Sequence, residues 1–586
     1  MISSLPPLAA AGPILVAATL LALGRHLPGR VPDVIAIVAA LAVAALGALM
    51  AFRAGDGVLL HWFGGWSPRE GMPIGIAFQA DVAGSVMVAL VGILFVASFV
   101  FAWGFFEEVG VQFHVLMLVF MAAMCGFCLT RDLFNLFVWF EVMSVAAFAL
   151  TAYRLEASAL EGALNFTVTN SLGSMMMLAG IGLLYARLGR LDMLALGEEA
   201  AKAAGDPVIP GAFCLLAAAL LIKGATVPFH LWLADAHAVA PSPVSMVFSG
   251  GMVAMGVFGL ARLTWTVFAP VEAVTEALHA VVLWLGAATS VLGGMLCLGQ
   301  RHVKRMLAFS TISHTGILLM GVALLSADGL AGTLTYLVGH GLVKAALFAL
   351  AGVLMARLGG IDEIGLRGRG REIWPARIAF AAGGLLLAGL PVGLMEEGAT
   401  LLDAAAGAES FRWVILAVPI GAGLTGAAVL RAAGRIFLGW GKVDGEEEGA
   451  PSEQEAEKAN RPLPLMLAPV AVLLLLASAV PGHLAEEAAQ HAASAMMQPG
   501  IVPAPVSPGE VPERLPLGWM SLSLALLVAG WHLGRHHLPA ILSNGVQALT
   551  APVFAGLERL HSGVTGDELV WILAGLALLS LGLWLA

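Results

Sequence analysis

Residues 221–245 read LIKGATVPFHLWLADAHAVAPSPVS. Lys223 closes an apolar run, and His230 and His237 follow among Pro228, Pro241 and Pro243. Upstream, Glu141 lies inside DLFNLFVWFEVMSVAAFAL with no basic residue nearby. Downstream, His314 ends the polar run STISH. His340 and Lys344, in TYLVGHGLVKAALFALAG, are four apart and share one helical face. Glu396 and Glu397 follow a break at Pro391 and Gly393. An ionisable group at mid-membrane costs at least about 2.5–3.5 kcal/mol on insertion scales, so each one needs a reason.

Proton or ion passage needs such a set. Alternating acids, amines and imidazoles let water into a low-dielectric interior, and a proton placed on one group changes the affinity of its neighbours. Buried lysines and histidines exchange protons near ambient pH. Broken helices add dipole ends and free carbonyls to such a path. Lys223 therefore reads as a titrating station at a helix break. The static readings are an ion pair of Glu141 with Lys223 that fixes packing, a hydrogen-bonded core histidine at position 314, and a Lys344 that snorkels to an interface.

The elements that must hold these groups are membrane helices. The chain has 586 residues, of which 59% are hydrophobic and 12% charged. The charged share is about half the usual one, too little to cover a water-facing surface. With roughly 20 apolar residues per crossing, about sixteen stretches qualify, from 8–24 to 567–585. Those near 208–226 and 377–402 contain Gly and Pro beside their polar residues and are expected to be broken helices. The fold class is thus an all-α polytopic membrane protein of about 14–16 spans. Arg25, Arg30, Arg301, Lys304, Arg305, Arg357, Arg367, Arg369 and Arg371 follow odd-numbered spans, so that side is expected to be cytoplasmic and both termini outward. Arg187, Arg190 and Lys202 oppose the bias.

The net charge of −10 arises largely in loops, and no basic nucleic-acid footprint is visible. Residues 442–461 form an acidic, apolar-poor loop, and 499–516 a Pro-rich linker before the last two spans. The stretch 535–563 holds a candidate helix lying along the membrane. Cys125 and Cys128 form a CxxC without a second ligand pair, which reads as small apolar residues in a helix. No haem, flavin or iron–sulfur motif and no phosphate-binding glycine loop is present, so the sequence implies no cofactor, no metal and no catalytic centre of its own. The N-terminus lacks the charged region of a cleaved signal peptide, so residues 8–24 are expected to be a retained span.

Four motifs in order, FNLFVWFEVMSVAAFALTAY, KGATVPFHLWLADAHAVAPSPVS, KRMLAFSTISHTG and GHGLVKAALFALAG, resemble the antiporter-like membrane subunits of respiratory complex I, Mrp sodium/proton antiporters and energy-converting hydrogenases. The similarity covers roughly residues 80–440, and ALNFTVTNSLGSMMMLAGIGLLYARLG at 163–189 is most similar to the Mrp D-type branch. The resemblance implies a fourteen-helix core with two inverted five-helix repeats, here 113–264 and 278–438. Residues 1–112 would be N-terminal helices, 439–462 the acidic cytoplasmic loop and 463–586 the C-terminal helices. It also implies that Glu141 pairs with Lys223, and that a polar axis continues through His314, His340 and Lys344. His230 and His237 match positions at the rim of such a channel.

Two departures stand out. Ala254 occupies the place where the family carries a linking lysine or histidine. The second break reads AGLPVGLMEEG, which puts Glu397, or Gly398 after a one-residue shift, opposite the family's Lys or Glu. The resemblance implies a proton-translocating subunit, with Na+/H+ exchange as one form, among other small integral membrane subunits in a bacterial cytoplasmic membrane. An NADH dehydrogenase-like or hydrogenase-like complex would supply the redox chemistry. The alternative is a structural anchor for a soluble partner in inorganic-carbon uptake or a hydrogenase or dehydrogenase arm, its proton path degraded at Ala254.

Overall fold

The computed structural model describes residues 4–69, 73–105, 110–408, 411–441, 467–497, 515–537, 551–557 and 565–585, with a few single residues besides. Among these, thirteen helices are long and apolar enough to cross a membrane. A fourteenth crossing results if Pro469–Ser478 and His483–Met496, bent by 72°, are one span. Helices apolar on every side are what lipid selects, because a helix satisfies its backbone internally. The acidic segment 442–461 and most of the linker 499–516 lie outside the described residues, as does most of 535–563.

Both expected breaks are present. Val208–Lys223 stops at Gly224, Ala225 takes a left-handed backbone (φ 49°), and the chain resumes as Leu231–Val239. Trp374–Leu387 gives way to Gly389 and Gly393, both at positive φ, before Leu394–Ala408. A hairpin, unexpected in an all-helical chain, pairs Leu59–Trp62 antiparallel with Ala77–Ala80.

The centre of the bundle consists of Ser242–Phe268, Val303–Ala323 and Ala327–Leu358, which are buried along nearly their whole length. The first and third meet backbone to backbone at Gly250 and Gly341, where a Cβ on either residue would press on the other's carbonyl. That contact lies beside His340. Cys125 and Cys128 are buried in Val111–Leu129 as free thiols.

Elements recur 170 residues apart. Leu133–Thr151 corresponds to Val303–Ala323, and Ala157–Leu188 to Ala327–Leu358, the second pair equal in length. The backbone bridge between Asp132 and Asp192 returns between His302 and Asp362. The ion pair of Arg131 with Asp192 returns as Arg301 with Asp362. Both long helices end on a left-handed glycine, Gly189 and Gly359. The sequence carries the signal too, since ARLGRLDML (186–194) and ARLGGIDEI (356–364) share Ala, Arg, Leu, Gly and Asp in the same places.

Lys304, one of the charges that follow the ninth expected span, is fully buried in the first turn of Val303–Ala323, its ammonium donating to Ala240 O at 2.7 Å.

Candidate functional site

Lys223 ends its helix with no water-exposed surface. Its ammonium donates to Ser144 Oγ at 2.6 Å and lies 4.4 Å from the centre of the Phe140 ring. Ser144 in turn donates to Phe140 O at 2.7 Å, so its lone pairs are free to receive the ammonium. Glu141 lies one turn before Ser144 on Leu133–Thr151 and acts on Lys223 electrostatically, without a direct hydrogen bond. Its Oε1 is buried with no hydrogen-bond partner. The structure therefore brings Glu141 and Lys223 to one place but leaves the pair unclosed.

The second cluster centres on Lys344, also fully buried. Its ammonium donates to Leu307 O and, at 2.5 Å, to Ser310 Oγ, and it lies 5.2 Å from the Phe348 ring centre. The spacing of four places His340 one turn earlier on the same face, where its ring stacks on His314 with centroids 5.0 Å apart. His314 Nδ1 meets Tyr336 OH at 2.7 Å and Nε2 meets Thr425 Oγ1 at 3.1 Å. Tyr336 feels the charge of Glu396. Tyr336 packs against Gly398, on the helix that carries Glu396 and Glu397. Glu396 packs against Gly518, and Glu397 against Gly482.

His237 belongs to the interior and not to a rim. It is fully buried, stacks on Phe348 at 4.5 Å, and feels both Lys344 and Lys304. Neither ring nitrogen has a hydrogen-bond partner. His230 is half-buried at the first break and lines a cavity of about 120 Å³ with Val227, Pro228, Leu292, Leu557 and Trp571.

Ala254 is buried and offers no polar group. Hydroxyls link its helix to Val303–Ala323 instead. Ser249 Oγ and Thr311 Oγ1 are 2.6 Å apart, Thr315 Oγ1 donates to Thr311 O at 2.8 Å, and the Thr315 methyl faces Gly224, next to Lys223. Sequence reasoning passed over Ser144, Ser249, Ser310, Thr311, Tyr336 and Thr425. The recurring offset was the available signal: Ser144 and Asn170 stand 170 residues before His314 and His340.

A helical membrane bundle with amines, imidazoles and hydroxyls buried in its interior defines a polytopic membrane protein. Residues 130–425 match the model of the NADH:quinone oxidoreductase/Mrp antiporter transmembrane family, and the chain belongs to that family. Over 422 residues it is 30% identical to the N-type subunit of NADH-quinone oxidoreductase from Desulforudis audaxviator, covering 70% of this chain and 82% of the relative. Over 407 residues it is 28% identical to the D-type subunit of an Na(+)/H(+) antiporter from Alkalihalophilus pseudofirmus, covering 67% and 79%. Among solved structures, a chain of the Mrp complex from Dietzia sp. superposes with a TM-score of 0.76 at 25% identity, covering 86% of this chain and 98% of that one. A chain of an archaeal membrane-bound sulfane sulfur reductase shares the fold, with a TM-score of 0.72.

Proposed function

We propose that the chain is the proton-translocating, antiporter-like subunit of a multisubunit membrane complex in a bacterial cytoplasmic membrane. One observation carries this reading: Lys223 and Lys344 are fully buried amines whose ammonium groups rest on neutral oxygens, not on a counter-ion. A helix-locking salt bridge would close the contact, because an uncompensated buried charge is costly. An amine that must gain and lose a proton is better served by hydroxyl and carbonyl acceptors and a carboxylate at one remove.

In this reading protons pass between Glu141–Lys223 and the Lys344–His340–His314 cluster, with His237 beside Lys344 and Tyr336 leading to Glu396. The 170-residue recurrence supports two five-helix repeats, 113–264 and 278–438. The arginine bias supports cytoplasmic odd-numbered exits and outward termini. The names of the relatives support membrane-subunit partners and, through the D-type antiporter relative, exchange of protons for sodium.

The test uses membrane vesicles that hold the assembled complex, with proton influx followed by a pH-sensitive dye under an imposed potential. Lys223→Ala and Glu141→Ala each abolish influx while the complex still assembles. Native influx in either variant removes the role assigned to that residue. A sodium pulse that moves protons in the native complex, and not in the Lys223 variant, identifies sodium as the exchanged ion.

A further inference from the structure

The last helix, Thr565–Leu585, lies outside the family-matched segment and packs against Val208–Lys223 and Ala157–Leu188. Three contacts fix its course. Gly575 sits against Phe229 and Pro228 with no room for a Cβ, and Ser580 Oγ lies 3.4 Å from Cys214 Sγ. In the first turn, Glu568 is 2% exposed, and its Oε2 accepts a hydrogen bond from Thr169 Oγ1 at 2.7 Å. A carboxyl buried against a helix bundle is costly unless it is paired, neutral or used.

Thr169 belongs to a buried polar strip on Ala157–Leu188 that also holds Asn165, Asn170 and Ser174. Asn170 Nδ2 donates to Phe166 O at 3.2 Å, while its Oδ1 is buried with no hydrogen-bond partner, an open acceptor for water. Gly173, four residues or about 6 Å from Thr169, abuts Ile222, the neighbour of Lys223. By the 170-residue recurrence Asn170 and Ser144 hold the places of His340 and His314, whose rings stack. Ser144 receives the Lys223 ammonium.

We propose that Glu568 is the group through which the first half of the axis exchanges protons with the aqueous phase, by way of Thr169, Asn170 and Ser144 to Lys223. The step moves one proton and no electrons. Hydronium from the aqueous phase protonates the Glu568 carboxylate and leaves as water, and the carboxyl then releases the proton along the hydroxyls and intervening water to the free amine of Lys223. Carboxylate and ammonium result. The inference rests on the proton-translocating reading and adds to it a residue supplied by the C-terminal extension.

The test places E568Q, E568D and K223A in the assembled complex and reads proton influx in vesicles under an imposed potential. Gln still accepts from Thr169, so a mere latch predicts native influx in E568Q. The proposal predicts a fall of about tenfold or more, with E568D recovering most of it, and a carboxyl C=O infrared band that is present in the native complex and absent in E568Q. Native influx in E568Q beside an inactive K223A overturns the proposal and leaves the wider reading standing. Native influx in K223A overturns the wider reading itself. Should E568Q fail to assemble, T169V keeps the shape and removes the hydroxyl, and native influx in that variant is equally fatal.

Discussion

Glu396 and Glu397 are adjacent, and on a helix adjacent side chains diverge by about 100°. Glu396 has a buried Oε2 with no hydrogen-bond partner, on the helix that packs against Tyr336, whose hydroxyl lies 2.7 Å from His314 Nδ1. Glu397 is turned toward Gly482, at the bend of the C-terminal helix pair. The expected outcome is that Glu396→Gln lowers proton influx about tenfold and Glu397→Gln leaves it near native. The reverse order of effect would return the role to Glu397. The charged members of the site were legible in the sequence because lipid makes each of them conspicuous. Their hydroxyl partners were not, because Ser and Thr are common in membrane helices, and packing alone decides which of them face the axis. The register at the second break stayed open for the same reason: whether Glu397 or Gly398 faces the bundle depends on helix rotation, which a break with glycines leaves free.

The elements themselves follow from the sequence with few corrections, since apolar length fixes a span and Gly with Pro fixes a break. What hydropathy left unstated is how closely the spans approach. The Gly250–Gly341 contact sets the distance between Ser242–Phe268 and Ala327–Leu358, and so the position of His340 relative to His314. A side chain here forces the two backbones apart. Gly341→Val is expected to destabilise the bundle by about 1–3 kcal/mol, the usual range for overpacking. A lowered thermal unfolding midpoint in detergent, with secondary structure retained, is the check. An unchanged midpoint would mean that the contact is loose. The recurrence at 170 residues was also present in the sequence, in ARLGRLDML and ARLGGIDEI. It is hidden from a hydropathy scan because every helix in the bundle has the same composition.

On the proposed two-repeat reading, the chain joins two dissimilar halves. The first holds an acid and an amine, Glu141 and Lys223, while the second holds Lys344 with His314 and His340. At the recurring offset the first half carries only Ser174, Asn170 and Ser144 opposite those three. The ionisable groups of the two halves therefore sit at different places, and Ala254, where the proposed route would cross between them, is not titratable. A polar link between the helix of Ala254 and Val303–Ala323 is the 2.6 Å contact between Ser249 and Thr311. Hydroxyls conduct protons without holding them, so a relay of this kind passes a proton only while its hydrogen bonds are intact. Replacing both, Ser249→Ala with Thr311→Val, keeps the volume and removes the link, and proton influx is expected to fall about tenfold with assembly unchanged. Ala254→Lys is the complementary experiment in the same vesicles. If the hydroxyls already complete the route, a lysine there brings no gain in conductance and adds a like charge near Lys223. A large gain would show instead that the native route is cut at Ala254, and the chain would then be chiefly an anchor for its partners.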